Sequence, residues 1–448
     1  MSALEKIFAA RVPRYTSYPT APHFHAGIGD AQYRDWLGRL RPGTAISLYL
    51  HIPFCDTLCW FCGCHTTVVN NYAPVKAYCD LLLREMQDVA QLLGRRHPVS
   101  HIHWGGGSPT MLAHADMTHL TAAIGDMFPL APDVEMAVEI DPRGFDAGKA
   151  ATLAACGLTR ASIGVQDCDP KVQKAINRVQ PVEDIERSVR LLRDHAIHDI
   201  SLDLIYGLPH QTAESFERTL NLAIQLAPRR IAIFGYAHVP SFKKHQALIP
   251  ESALPGTAQR MALAQQAEYT LRAAGYQPIG LDHFAHPDDP MARAARDGTV
   301  KRNFQGYTVD DAPVLIGLGV SAISALPQGY LQNAASVAGY RAALNDGRLP
   351  VARGVALSDE DRLRRDVIEQ IMCFLRADLG EICLRHGKQV HSLDWALNEL
   401  EPLRMEGALL VSGRLITINP AMRPAARLAS AMFDAFLEAG TVRHSLSA

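Results

Sequence analysis

From about Ala45 to Tyr276, short runs of β-branched and apolar residues alternate with longer segments whose apolar positions recur every three or four residues. The short runs Ile46–Ile52, His101–Trp104, Glu135–Ile140, Ala161–Val165, Ile200–Ile205 and Ile231–Tyr236 predict strands. Between them, Val75–Leu93, Asp116–Phe128, Val182–His195, Ala213–Leu226 and Ala258–Ala274 predict amphipathic helices. Strand–helix alternation implies a parallel sheet with right-handed crossovers. Six such units predict an α/β fold, a partial (β/α)6 barrel. In a barrel, chemistry gathers at the carboxyl ends of the strands. HIPFC, WGGGSPT, EIDPR, GVQD, DLIYGLP and YAHVP each end a predicted strand.

The flanks follow other patterns. Arg11–Thr20 (RVPRYTSYPT) is too rich in Pro, Tyr and Thr for a helix and reads as an extended arm. Gly280–Leu326 mixes glycines, prolines and apolar residues without a period. Beyond it, Ser358 with Asp361 forms a capping box that opens a long helix through about Arg376. Leu393–Met405 predicts a second helix, Ala408–Val411 and Arg414–Ile418 a hairpin turning at Ser412-Gly413, and Ala421–Glu438 a last helix. The expected organisation is an N-terminal arm and helix (residues 1–44), a barrel with its extension (45–335), and a small, mostly helical, winged-helix-like C-terminal cap domain (336–448).

With 44 basic and 46 acidic residues and a formal charge of −2, the 448-residue chain has no bulk polyanion-binding character, and no nucleic-acid partner is expected. MSALEKIFAARVPRY lacks the apolar core of a secretory signal. The uncharged stretch Ala312–Pro327 is broken by Gly317, Gly319, Ser321 and Ser324 and is too short to span a bilayer. It reads as a buried strand and loop. A cytoplasmic protein without a membrane partner is therefore expected. Nine cysteines include four, Cys55, Cys59, Cys62 and Cys64, within ten residues. Clustered thiols in a long chain point to a metal site in a reducing compartment rather than to a disulfide framework.

Cys55-Asp-Thr-Leu-Cys59-Trp-Phe-Cys62-Gly-Cys64 directly follows the first predicted strand. Short cysteine spacings let one loop wrap a face of an iron–sulfur cube. A structural zinc site brings two separated ligand pairs, and a ferredoxin site brings a distant fourth cysteine before a proline. Neither pattern is present. If only three of these cysteines ligate, the fourth iron keeps a position open to a substrate or cofactor. Gly105-Gly106-Gly107-Ser108, ending the next strand, permits close backbone approach suited to a small zwitterion, although glycine runs also make plain turns.

C-x-x-x-C-x-x-C after the first barrel strand resembles the signature of the radical S-adenosylmethionine (SAM) enzymes. PRYTSYPT to Thr20, LYLHIPFC to Cys55, CWFCGC to Cys64, HWGGGSPT to Thr110 and VEIDPR to Arg143 narrow the resemblance. So do GVQD to Asp167, LDLIYGLP to Pro209, YAHVP to Pro240, GLDHFAHPDD to Asp289, RNFQGYT to Thr308 and GLGVSAIS to Ser324. Across nearly the whole chain the sequence resembles the oxygen-independent coproporphyrinogen III oxidases (dehydrogenases) of bacterial haem biosynthesis. The resemblance implies a barrel of radical SAM type and a [4Fe-4S] cluster on Cys55, Cys59 and Cys62. It also implies two SAM molecules. Tyr49, Gly106, Glu139 and Ile323 would contact the first, and Phe61, Gly107, Ser108, Gln166, Arg178, Asp203 and Ala237 the second. Ser108 stands where the family pattern has threonine.

The implied activity is oxidative decarboxylation of two propionates of coproporphyrinogen III to vinyl groups, giving protoporphyrinogen IX through a 5′-deoxyadenosyl radical. An unidentified electron donor and acceptor complete it, in a monomer. Phe304, Gln305, Cys64 and Arg14 are candidate substrate contacts, with Lys243, Lys244, Lys301 and Arg302 as further cations for its carboxylates. Cys64 equally reads as a small residue shaping its loop. Within the same fold the alternatives are a methylating or haem-ring-opening radical enzyme. Outside it, the alternative is a non-catalytic iron–sulfur protein.

Overall fold

Six parallel strands form in chain order, β1 (Ile46–Ile52), β2 (Val99–Gly106), β3 (Leu130–Ile140), β4 (Arg160–Gln166), β5 (Asp199–Tyr206) and β6 (Arg230–Gly235). The computed structural model describes Glu5, Ile7, Ala10 and residues 12–437. Arg11 of the expected arm and Glu438 of the expected last helix lie outside the described residues. Helices α1 (Ala73–Leu93), α2 (His114–Met127), α3 (Ala147–Ala155), α4 (Val182–Asp194), α5 (Ala213–Gln225) and α6 (Thr257–Ala273) follow the strands in turn. The hydrophobic pattern did not single out α3; Asp146 caps it by accepting from the Lys149 N–H at 2.8 Å.

Period-two alternation splits each strand between two environments. Leu48, Leu50, Ile102, Trp104, Val138, Ile163, Leu202 and Leu204 are buried in one core with Val75, Leu82, Leu120, Leu192 and Phe216 of the helices. The intervening positions carry Tyr49, His51, His103, Glu139, Ser162 and Asp203. Register sets them side by side, with Tyr49 opposite His103, Glu139 opposite Ser162 and Gly164 opposite Asp203. In β1 to β5 one face thus makes the core and the other carries polar chemistry.

The sheet continues past the barrel on both sides, to twelve strands among the described residues. β7 (Val314–Leu318) pairs in parallel with the free edge of β1, and β8 (Ile323–Leu326), β9 (Gly329–Asn333) and β10 (Val351–Ala356) follow antiparallel. The stretch without a clear period therefore holds the buried strand and loop expected at Ala312–Pro327. Because β10 pairs with β9, the expected division at residue 335 falls inside this sheet, which ends at Ala356.

The cap begins with the helix Asp359–Phe374, whose Ser358–Asp361 capping box forms as expected. Arg376–Asp378, Leu415–Ile418 and Leu409–Ser412 make a three-stranded antiparallel sheet. The hairpin turn is Gly413-Arg414, one residue later than expected. Two helix expectations are corrected. Leu393–Met405 is two short helices, Trp395–Glu399 and Glu401–Met405, because Pro402 in the first turn of the second has no N–H to continue the first. Pro424 likewise divides the last segment into a 3-10 turn, Pro420–Met422, and the helix Ala425–Ala431.

The arm is clamped between the cap and the barrel extension. Arg427 donates to the carbonyls of Val12 and Pro13, Tyr15 Oη donates to Asp434 at 3.0 Å, and Arg302 donates to the carbonyls of Arg14 and Tyr15. Among the described residues no helix is long and apolar enough to cross a membrane.

Candidate functional site

The cysteine loop leaves the carboxyl end of β1 through Pro53 and is tied down by backbone pairing and by two neighbouring loops. Phe54 and Cys55 pair in parallel with Thr67 and Val68. Trp60 N–H donates to Ile176 O, and Asn177 Nδ2 donates to Leu58 O. From the segment after β6, Gln246 Nε2 donates to Phe61 O at 3.0 Å and Lys243 Nζ to Cys64 O at 2.9 Å. The loop carbonyls are thereby fixed, and the sulfurs are left to face inward.

Each of the three expected cluster sulfurs has a hydrogen-bond donor. Thr66 Oγ1 donates to Cys55 Sγ at 3.1 Å, Arg178 Nη1 to Cys59 Sγ at 3.5 Å, and Cys64 N–H to Cys62 Sγ at 3.4 Å. Such donors stabilise thiolates and tune an iron–sulfur cluster. Hydrogen bonding from Cys64 draws the Cys62 thiol down, whereas burial pushes Cys55 up to about 11. Among the described residues no three His, Cys, Asp or Glu side chains close around a single ion. The thiols instead border a shared cavity, and their number, loop and donors fit a cube with one open corner.

The glycine turn lies beside them. Gly106 has φ +118, and a Cβ there would stand 2.8 Å from the His51 ring. A Cβ on Gly107 would stand 2.7 Å from Phe54 O. Any side chain at Gly107 would therefore strike the cysteine loop's own backbone. Gly106 N–H donates to Glu139 Oε2 at 3.1 Å, and His103 Nε2 lies 3.2 Å from Glu139 Oε1. Burial pushes the Glu139 carboxyl up, but these contacts outweigh it and hold it below its ordinary value. An ionised carboxylate at the rim of a glycine cradle fits the ammonium of an amino-acid-like cofactor.

Two cavities meet at this point, sharing Cys64, Gly106, Glu139 and Gln305. The narrower, about 370 Å³, runs into the barrel lumen past Cys55, Cys59 and Cys62. Its wall carries Asp141, which accepts from Arg143 at 2.7 Å and from Arg178 at 3.1 Å, and Asp203, which accepts from Ser162 Oγ at 2.9 Å. Burial raises Asp203 to about 6. The wider, about 810 Å³, opens between the arm (Ala21, Pro22), the cysteine loop and β7–β10. Phe242, Phe304 and Ile323 make much of its wall.

Most residues expected from sequence converge here. Tyr49, Ile323, Phe304, Gln305 and Cys64 line the wider cavity, and Phe61, Gly107, Gln166, Arg178 and Asp203 the narrower. Arg178 is only 7% exposed, so it is a buried cation of the site and not a solvated surface arginine. Ser108 is buried with its hydroxyl 3.0 Å from Thr110 Oγ1, and neither Ser108 nor Ala237 is among the residues lining the two cavities. Arg14 and Arg302 border a separate cavity of about 110 Å³ under the cap, where Arg14 donates to Gly235 O. Lys244 and Lys301 are exposed outside the site. His51, His103, Asp141, Arg143, Gln332 and Arg353 also line the two cavities, without having been candidates from the sequence. Asp141 and Arg143 stand in EIDPR, a strand-end motif already noted; nothing in the sequence marked Gln332 or Arg353.

A family model for the radical SAM superfamily matches residues 49–223. An oxygen-independent coproporphyrinogen III oxidase from Bradyrhizobium diazoefficiens is 47% identical over 435 residues, 97% of each chain. One from Paracoccus denitrificans is 44% identical over 439 residues, again 97% of each. The solved structure of coproporphyrinogen III oxidase (HemN) from Escherichia coli, described as a radical SAM enzyme, superposes with a TM-score of 0.90 at 36% identity. That match covers 96% of this chain and 100% of that one.

Proposed function

The chain belongs to the radical SAM enzymes and, among them, to the oxygen-independent coproporphyrinogen III oxidases, and from that membership we propose that it converts two propionates of coproporphyrinogen III to vinyl groups. Each propionate loses carbon dioxide, one hydrogen atom and one electron, and the product is protoporphyrinogen IX. The observation that carries the reading is the junction of two unlike cavities at a loop bearing three hydrogen-bonded thiols.

Cys55, Cys59 and Cys62 hold the [4Fe-4S] cluster, and Thr66, Arg178 and the Cys64 N–H stabilise their thiolates. Tyr49, Gly106, Glu139 and Ile323 orient a first SAM molecule, with Glu139 accepting from its ammonium. With a cluster and SAM held there, the pair would supply the one-electron reductive chemistry that yields a 5′-deoxyadenosyl radical, the oxidant for a propionate β-hydrogen. Phe61, Gly107, Gln166, Arg178 and Asp203 surround space for a second SAM in the narrower cavity. Phe304, Gln305 and Cys64 border the substrate in the wider one and exclude water from it. The electron donor and acceptor are separate partners.

Anaerobic turnover of the reconstituted protein with dithionite, SAM and coproporphyrinogen III tests this. Two carbon dioxide molecules and two vinyl groups per substrate are expected. Continued 5′-deoxyadenosine formation without a vinyl product would remove the substrate assignment and leave the radical class intact. A SAM-dependent change in the reduced cluster's electron paramagnetic signal tests the open iron. Equilibrium dialysis reading one SAM per chain instead of two would remove the second site.

A further inference from the structure

A tetracarboxylate substrate needs positive charge where it binds, and the wider cavity has little. Among the described residues Arg353 is the only Lys or Arg in its lining. Its position on β10 is in direct register with Gln332 on β9. Gln332 is 5% exposed, and its amide is oriented by Nε2 donating to Ser321 O at 3.0 Å. That leaves Oε1 to accept from Arg353 Nε at 2.8 Å. The Phe24 ring lies beside the guanidinium, with Cζ 5.9 Å from its centroid.

The rest of the guanidinium is uncommitted. Neither Nη group has a hydrogen-bond partner among the described residues, and no carboxylate lies within ion-pair distance. The narrower cavity is the opposite case. Its Arg143, Arg160, Arg178 and Arg230 are each ion-paired, with Asp141, Glu135, Asp141 and Asp289 respectively, although Arg230 Nη2 is buried without a hydrogen-bond partner. A guanidinium held by its Nε and flanked by an aromatic ring presents its two Nη groups as a fork, which matches a carboxylate bidentately. Lys243, the nearest alternative from sequence, has its ammonium on Cys64 O.

We propose that Arg353, held in place by Gln332, is a carboxylate-binding subsite for a propionate of the porphyrinogen, fixing how the macrocycle sits against the cluster loop. The assignment rests on the porphyrinogen reading above. Cys64, Gly106 and Glu139 line the same cavity, so a ring anchored at Arg353 has its neighbours directed toward the first SAM site.

The test is equilibrium binding of coproporphyrin III to the reconstituted full-length protein by fluorescence. Its uncharged tetraamide serves as the comparison ligand. Arg353→Gln weakens binding of the tetra-acid roughly tenfold to a hundredfold, the worth of a charge-assisted hydrogen-bonded pair. Tetraamide binding stays at its wild-type value, and Arg353→Lys recovers part of the acid's affinity. Iron content and the visible spectrum report that the variants are folded and loaded. Equal tetra-acid affinity in wild type and Arg353→Gln overturns the proposal, as does equal weakening of acid and amide. A wild type that yields no vinyl product, yet loses acid binding on Arg353→Gln, removes the reaction and keeps the subsite.

Discussion

The two cavities that meet at Glu139 solve recognition in opposite ways. The narrower is crowded with charge, and its Asp141, Arg143, Arg160, Arg178 and Arg230 are already paired within the protein. Burying charge is costly unless each group is paired and hydrogen-bonded, so this lumen is set before any ligand arrives. A small polar cofactor can then exchange water for fixed dipoles with little rearrangement. The wider cavity has apolar walls and one uncommitted cation. That suits a large macrocycle recognised by shape and apolar area, with a few charges fixing its orientation. With the occupants proposed above, the charge density of each pocket matches the polarity of its ligand, even though the two pockets share residues.

Variants on the two sides test this contrast. The largest effect is expected at the junction. Cys59→Ala removes a proposed cluster ligand, so iron and sulfide content should fall and turnover drop by at least about a thousandfold, the scale of losing a group that acts only as part of a unit. In the narrower cavity, Asp141→Asn strips the partner from Arg143 and Arg178. Unfolding by urea then reads a loss of about 3 kcal/mol, typical of leaving buried charge uncompensated. A loss below about 1 kcal/mol would mean that the lumen is wetter than its pairing implies.

The wall of the wider cavity gives a pH-dependent effect. Fully buried Glu85 accepts from Tyr340 Oη at 2.5 Å, Asn333 Nδ2 at 2.6 Å and Gly319 N–H at 2.6 Å, supporting the loop that carries Ser321 into that cavity. Burial raises its carboxyl from 4.5 to about 7. The folded state therefore binds this proton more tightly than the unfolded chain. The resulting stabilisation is complete below about pH 4.5 and is lost as pH rises through about 7. Glu85→Gln removes the titration. The stability of wild type relative to the variant should fall by roughly 2 kcal/mol between pH 5 and pH 8, as read by paired thermal melts. A difference that is flat or rises with pH contradicts the assignment. The smallest effect is expected at Phe304→Leu, a nearly volume-conserving change in an apolar wall. Stability shifts by less than about 1.5 kcal/mol. The KM for coproporphyrinogen III rises about fivefold, while SAM affinity measured by dialysis stays unchanged.

The legible part of the molecule is the part written locally. Strand β1 and the loop after it were readable because an apolar run and three closely spaced thiols report their own chemistry. The Ser358–Asp361 capping box and the cap hairpin were readable for the same reason. The split of Leu393–Met405 at Pro402 is also local: apolar periodicity runs through the segment, but the proline's missing N–H starts a second helix there. Arg178 carries no burial signal in the sequence, because a lone arginine is more often solvated than buried. Asp141, from another strand end, is what settles its place. Arg302 shows the converse: it neighbours Phe304 and Gln305 along the chain, yet with Arg14 of the arm it borders a different cavity.

The sequence by itself determined the barrel alternation, the thiol loop, the glycine cradle and the family resemblance, because each depends on neighbours a few residues apart. Only the tertiary structure decided that the loop opens into two cavities of opposite character. It alone left Arg353 the uncommitted cation of the wider one and put Arg14 outside. Pairing Gln332 with Arg353, or Asp141 with Arg178, depends on strand register and on loops meeting across the sheet. Such contacts are between residues 21 or 37 positions apart, and hydrophobic periodicity reports which face of an element is buried, not which polar side chains meet on the other face.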